Sequence, residues 1–151
     1  MSAIKDGADV TESNTLGMSL PNDDTAAGEA RHAVRATLTR WRLPGLVEAC
    51  VLTASELVTN AVRYGLPPLS LVMRRRKGGV RMDVNDGRPE ALDAMDRSQP
   101  DGLAESGRGL AIVRQISDDQ GSEHIPGDGK KVYASWNLAA PLSSDRDSRP
   151  A

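Results

Sequence analysis

The chain has no phenylalanine, two tryptophans, two tyrosines and one cysteine in 151 residues. Each shortage excludes something. Proteins that track single-stranded nucleic acid stack its bases on rows of aromatic rings, and this chain lacks the rings. The lone Cys50 excludes an intramolecular disulfide and a multi-cysteine metal site. A charge excess is also missing. The net charge of −2 gives no basic footprint for direct contact with nucleic acid. No run approaches the roughly 18 consecutive apolar residues of a membrane span. The start, Met1-Ser2-Ala3-Ile4-Lys5-Asp6, lacks the charged-then-apolar pattern of a secretory signal. A cytoplasmic protein is expected, without membrane contact. What remains is ordinary: 38% apolar and 26% charged residues, enough for one domain with a sizeable core.

Residues 1–23 mix Asp, Thr, Ser, Asn and Gly without a period and read as a flexible tail that orders near Leu16–Leu20. Asp23, Asp24 or Thr25 can cap a first helix running to about Trp41, with Ala30, Ala33, Val34, Leu38 and Trp41 as its stripe. Pro44-Gly45 breaks the chain. A central helix follows to Tyr64. Leu46, Val47, Cys50, Val51, Ala54, Leu57, Val58, Ala61 and Val62 recur at helical spacing on one face. On that stripe Cys50 is a core residue. Gly65 takes the place of a helix C′ glycine, and Pro67-Pro68 forbids continuation.

Next comes a hairpin, Leu69–Arg75 and Val80–Asn85, joined around Lys77-Gly78-Gly79. Its second strand alternates cleanly, Val80, Met82 and Val84 against Arg81, Asp83 and Asn85. By that parity Asp86 leaves the strand on the side of Val84, towards the helices. A carboxylate there needs a donor partner. Residues 87–106 form a long loop with a short helical signal at 91–95, and a lid is the expected use. Ser106-Gly107-Arg108-Gly109-Leu110 then opens an apolar helix, where glycines let main-chain N–H groups approach an anion. Gln120-Gly121 ends it. A last hairpin turns at Pro126–Gly129, with Val132, Ala134, Trp136 and Leu138 on one face. Residues 141–151 are a second flexible tail, which leaves 24–140 as the domain. The order of elements predicts an α+β fold, a two-layer sandwich of helices on one face of a mixed, mostly antiparallel sheet.

Glu56 and Asn60 lie four residues apart on the central helix, about 40° apart around its axis. Alone they would be a solvated helix edge. Together with Asp86 and Gly107–Leu110 they come from three elements and can converge on one pocket between helices and sheet. His32 and His124 read as surface residues.

This constellation resembles the GHKL ATP-binding superfamily over about residues 20–139. Ser55–Gly65 is similar to its N box, Asp83–Pro89 to its adenine box and Glu105–Val113 to its phosphate box. Within the superfamily the wording looks like that of bacterial anti-sigma-factor serine/threonine kinases. The resemblance implies ATP and Mg²⁺ as cofactors, with Asn60 as the metal ligand. Glu56 would be the general base, Asp86 the acceptor of the adenine amine, and Gly107, Arg108, Gly109 and Leu110 the phosphate cradle. It also implies a sigma factor and an anti-sigma-factor antagonist as protein partners, and a homodimer. The chain departs from the pattern at Arg88, where the adenine box has a glycine, and at Glu105, where some kinases carry arginine. Lys131 stands where threonine is frequent. The alternative is a catalytically weak module that uses nucleotide to gate partner binding. A histidine-kinase catalytic half is the weaker third reading, because His32 lacks a phosphoacceptor setting.

Overall fold

The structure is a computed structural model and describes residues 13–89 and 109–138. Within it run β1 (Thr15–Leu20), α1 (Ala26–Arg40), a 3-10 turn (Pro44–Leu46), α2 (Val47–Tyr64), β2 (Leu69–Arg76) and β3 (Gly79–Asp86). Helix α3 at 109–116, β4 (Asp119–Ile125) and β5 (Gly129–Asn137) complete it. The five strands form one sheet in the order β1-β2-β3-β5-β4, and every pairing is antiparallel. The helices cover one face, so the fold is the expected α+β two-layer sandwich. The expected helix at 91–95 lies outside the described residues, as do 90–106 of the lid region, Gly107, Arg108, residues 1–12 of the first expected tail and the whole of the second.

The core lies between α1, α2 and the inner face of β1–β3. Leu38, Val34 and Val58 meet Leu71, Met73 and Met82, all with no exposed surface. Each such side chain contributes about 1.5–3 kcal/mol of transfer free energy. The stripe read from α2 is this face, and it also buries Thr53. Burial pushes the Cys50 thiol up to about 12, so it stays a neutral core group. The stretch Pro44–Tyr64 is long and apolar enough, by length and composition, to cross a membrane. Its apolar side chains Cys50, Val51, Ala54, Leu57 and Val58 are instead buried in this core.

Two expectations are corrected. The order expected near Leu16–Leu20 takes the form of an edge strand paired with β2 along its whole length, so Thr15–Leu20 belongs to the sheet and not to a tail. The Trp41 indole donates to Ser13 O at 2.8 Å, and Asn14 Oδ1 accepts from the Arg75 guanidinium at 2.8 and 3.0 Å. Arg75 in turn stacks 5.3 Å from the Trp41 ring. Helix α3 ends at residue 116, and Gln120-Gly121 belong to β4. The Ser117 hydroxyl donates to Val113 O at 2.6 Å and the Trp136 indole donates to Ile116 O at 2.6 Å, satisfying carbonyls at that end. Gly121 faces the Tyr133 ring, where a Cβ would sit 2.7 Å from the hydroxyl. Asp83, placed by parity on the outer face, is nonetheless 2% exposed. Arg81 bonds it at 2.9 Å while stacking 4.1 Å from Tyr133.

Candidate functional site

Helix α2 carries Glu56 and Asn60 beside its buried stripe, and both are half-buried. Asn60 opens onto a cavity of about 230 Å³ bounded by α2, α3, β3, β4 and β5. Leu57, Ala61, Val84, Leu110 and Val132 form its apolar wall, and Asn60, Asp86, Lys130 and Arg114 its polar groups. An apolar cleft with a few convergent polar groups is the usual form of a small-molecule site.

Asp86 ends β3 on the side of Val84, as the alternation requires, and is 4% exposed. Its carboxylate is held in a tight seat. A Cβ on Gly65 would lie 2.6 Å from Asp86 Cγ and 2.7 Å from Oδ2. Gly65 does end α2, as expected, but not for conformational freedom. Its φ of −91° and ψ of −168° are ordinary extended backbone. It is glycine because the Asp86 carboxylate occupies the space of a side chain. On the other side the Arg88 main-chain N–H donates to Asp86 Oδ1 at 2.7 Å. Gly129, with φ of +93°, backs the Asp86 main chain, and a Cβ there would run into the Asp86 carbonyl.

Gly109 opens α3 against α2. A Cβ on it would meet Glu56 Oε1 at 2.9 Å and the Asn60 amide at 3.3 and 3.7 Å. The described glycine of the phosphate motif therefore touches both polar residues of α2. Asn60, Asp86 and Leu110 share the cavity, and Glu56 joins them through Gly109. Gly107 and Arg108 lie outside the described residues. The sequence reading assigned no role to Gly65, Gly129, Lys130 or the Arg88 side chain in this site. Glycine beside Tyr64 and in the last turn was a signal, but both looked like chain punctuation.

The residues present fit a nucleotide. The cavity has an apolar wall, the buried Asp86 carboxylate, and the Asn60 amide beside the glycine that starts α3. Among the described residues no group of three His, Cys, Asp or Glu side chains is placed to hold a metal. A metal here would rest on Asn60, water and phosphate, the sparse protein ligation typical of Mg²⁺.

The family model described as the histidine kinase-like ATPase domain matches residues 20–136. The match contains all of the site described above and every element except most of β1 and the last residue of β5. No curated protein matches the chain. The chain belongs to the histidine kinase-like ATPase domain family, and it is an ATP-binding module of the GHKL superfamily.

Proposed function

We propose that this ATP-binding module is a serine/threonine protein kinase that acts on a sigma-factor circuit, binding a sigma factor and phosphorylating its anti-sigma-factor antagonist. The observation that carries the reading is the position of Glu56. Its carboxylate lies one helical turn before Asn60, and both abut Gly109 at the start of α3. That position supports the reading of Glu56 as a base beside the phosphates, well along α2 from the Asp86 seat.

The geometry supports a role for each residue. Asp86, fixed between Gly65 and Arg88, accepts a hydrogen bond from the adenine amine and so selects the base. Leu57, Val84, Leu110 and Val132 flank the ring and exclude water. The main-chain N–H groups at the start of α3 face the phosphates at the positive end of the helix dipole. Asn60 would hold Mg²⁺, which supplies neutralisation of phosphate charge when bound. Glu56 accepts the proton of the substrate hydroxyl as its oxygen bonds to the terminal phosphorus and the bond to the bridging oxygen breaks. Positioning and charge neutralisation are most of what phosphoryl transfer asks of a protein.

The test is transfer of labelled terminal phosphate from ATP to an antagonist protein. Label on serine or threonine, lost in Glu56→Gln while ATP still binds, is the expected result. ATP binding without transfer to the antagonist would overturn the kinase reading and leave a nucleotide-gated partner-binding module.

A further inference from the structure

We infer that Arg88 is a positioning residue for base selection, acting through Asp86. The inference rests on the reading of Asp86 as the adenine acceptor. The family motif has a glycine at this position, so nothing in the resemblance assigns the side chain a role.

The loop after β3 is bound to the end of α2 at three successive residues. The Asp86 carboxylate fills the space above Gly65. The Gly87 N–H donates to Leu66 O at 2.6 Å. The Arg88 guanidinium donates through Nη1 to Tyr64 O at 2.9 Å. Tyr64 is the last residue of α2, so its carbonyl belongs to the negative end of the helix. A cation is the favoured donor there, and a charge-assisted bond is about twice as strong as a neutral one. The same residue donates its main-chain N–H to Asp86 Oδ1 at 2.7 Å. Arg88 therefore grips the helix with its side chain and the carboxylate with its backbone.

The consequence is geometric. Asn60 stands one helical turn before Tyr64. The anchor sets the distance between the group that reads the base and the group at the phosphate end. A glycine at residue 88 could make the main-chain bond and could not make the anchor. Without the anchor the loop keeps the Gly87 bond and the β3 pairing but loses its side-chain hold on α2, so the Asp86 carboxylate is positioned less closely. The phosphate end, built from Asn60 and Gly109, is untouched.

The experiment is calorimetric titration of wild type, Arg88→Ala, Arg88→Lys and Gly65→Ala with ATP, GTP and inorganic tripolyphosphate, each with Mg²⁺. Urea denaturation of each variant runs alongside. Arg88→Ala should bind ATP about tenfold more weakly, the worth of one such bond. Its preference for ATP over GTP should shrink by the same factor, and its tripolyphosphate affinity should stay. Arg88→Lys should recover part of the preference, because an ammonium group can also donate to Tyr64 O. Gly65→Ala should lose the preference from the opposite wall of the seat. Equal loss for ATP and tripolyphosphate in Arg88→Ala, or ATP binding at wild-type strength, overturns the inference. A wild type that binds ATP and GTP equally well would instead overturn the base-reading role of Asp86, before any variant is considered.

Discussion

Among the described residues the helical layer is solid over β1, β2 and the start of β3; it is open over the end of β3 and the adjoining parts of β5 and β4. On the solid side the inward residues Leu71, Met73 and Met82 have no exposed surface, and Val34, Leu38 and Val58 close on them from α1 and α2. On the open side Val132 is only half-buried, and Gln120 and Ser122 of β4 line the cavity. Val113 and Trp136 seal the far end, where the indole bonds Ile116 O. The same sheet thus serves two ends. Its packed half gains stability from apolar area, which tolerates any well-shaped filling. Its hollow half holds polar groups at fixed positions and leaves apolar wall for a ligand to cover. Helix α2 belongs to both, through its buried stripe and through the rim that bears Glu56 and Asn60.

If the halves divide the labour in this way, changes in one should leave the other's property intact. Glu56→Gln should have the largest effect, a loss of about 10²–10⁴-fold in transfer, the worth of a general base. ATP affinity and urea midpoint should hold. Survival of transfer would place the base elsewhere. In the packed half, Leu71→Ala should lower unfolding free energy by about 2–5 kcal/mol through lost burial and the cavity left behind. Urea titration measures this, and the folded fraction should bind ATP with unchanged affinity. A changed affinity would show that the halves are coupled more tightly than their packing suggests. Asp86→Asn should weaken ATP by about 1.5–3 kcal/mol and barely alter tripolyphosphate binding, because a charged acceptor is replaced by a mixed donor and acceptor. Equal losses would make Asp86 structural.

The smallest effect belongs to neither half. Asp23 lies fully exposed before α1, where the Thr25 hydroxyl and then the Thr25 main-chain N–H hold its carboxyl below the ordinary 3.8. A lowered folded pKa means that the contribution is complete above the unfolded value and is lost as pH falls through the folded one. The melting temperature of wild type should exceed that of Asp23→Ala slightly at neutral pH, and the gap should close as the pH falls through the lowered folded value. A gap that persists in acid would assign the effect to something other than the ionised carboxylate.

Local pattern carried the parts of the fold that local physics determines. The β2–β3 hairpin was legible because alternation and two adjacent glycines both act over a few residues. The stripe of α2 was legible because its period runs over five turns. Strand β1 was not, because Leu16, Met18 and Leu20 alternate inside a polar stretch. Their partners on β2 lie about fifty residues away, and the Trp41 and Arg75 anchors of the residues before β1 lie 28 and 61 residues away. The end of α3 was misplaced because Gly121 looked like a stop, whereas it is the floor beneath Tyr133. In the site, spacing supplied Glu56 and Asn60, and strand parity supplied Asp86. Gly65 shows the limit. A glycine that makes room for a side chain from another element is indistinguishable, in sequence, from one that ends a helix.

The most direct test of the hollow half as a nucleotide site is calorimetric titration with ATP, with and without Mg²⁺, on wild type and Asn60→Ala. The account predicts binding that Mg²⁺ strengthens in the wild type, and loss of that strengthening in the variant at unchanged stability. Wild type that takes up no ATP, or a variant that responds to Mg²⁺ as the wild type does, would contradict it.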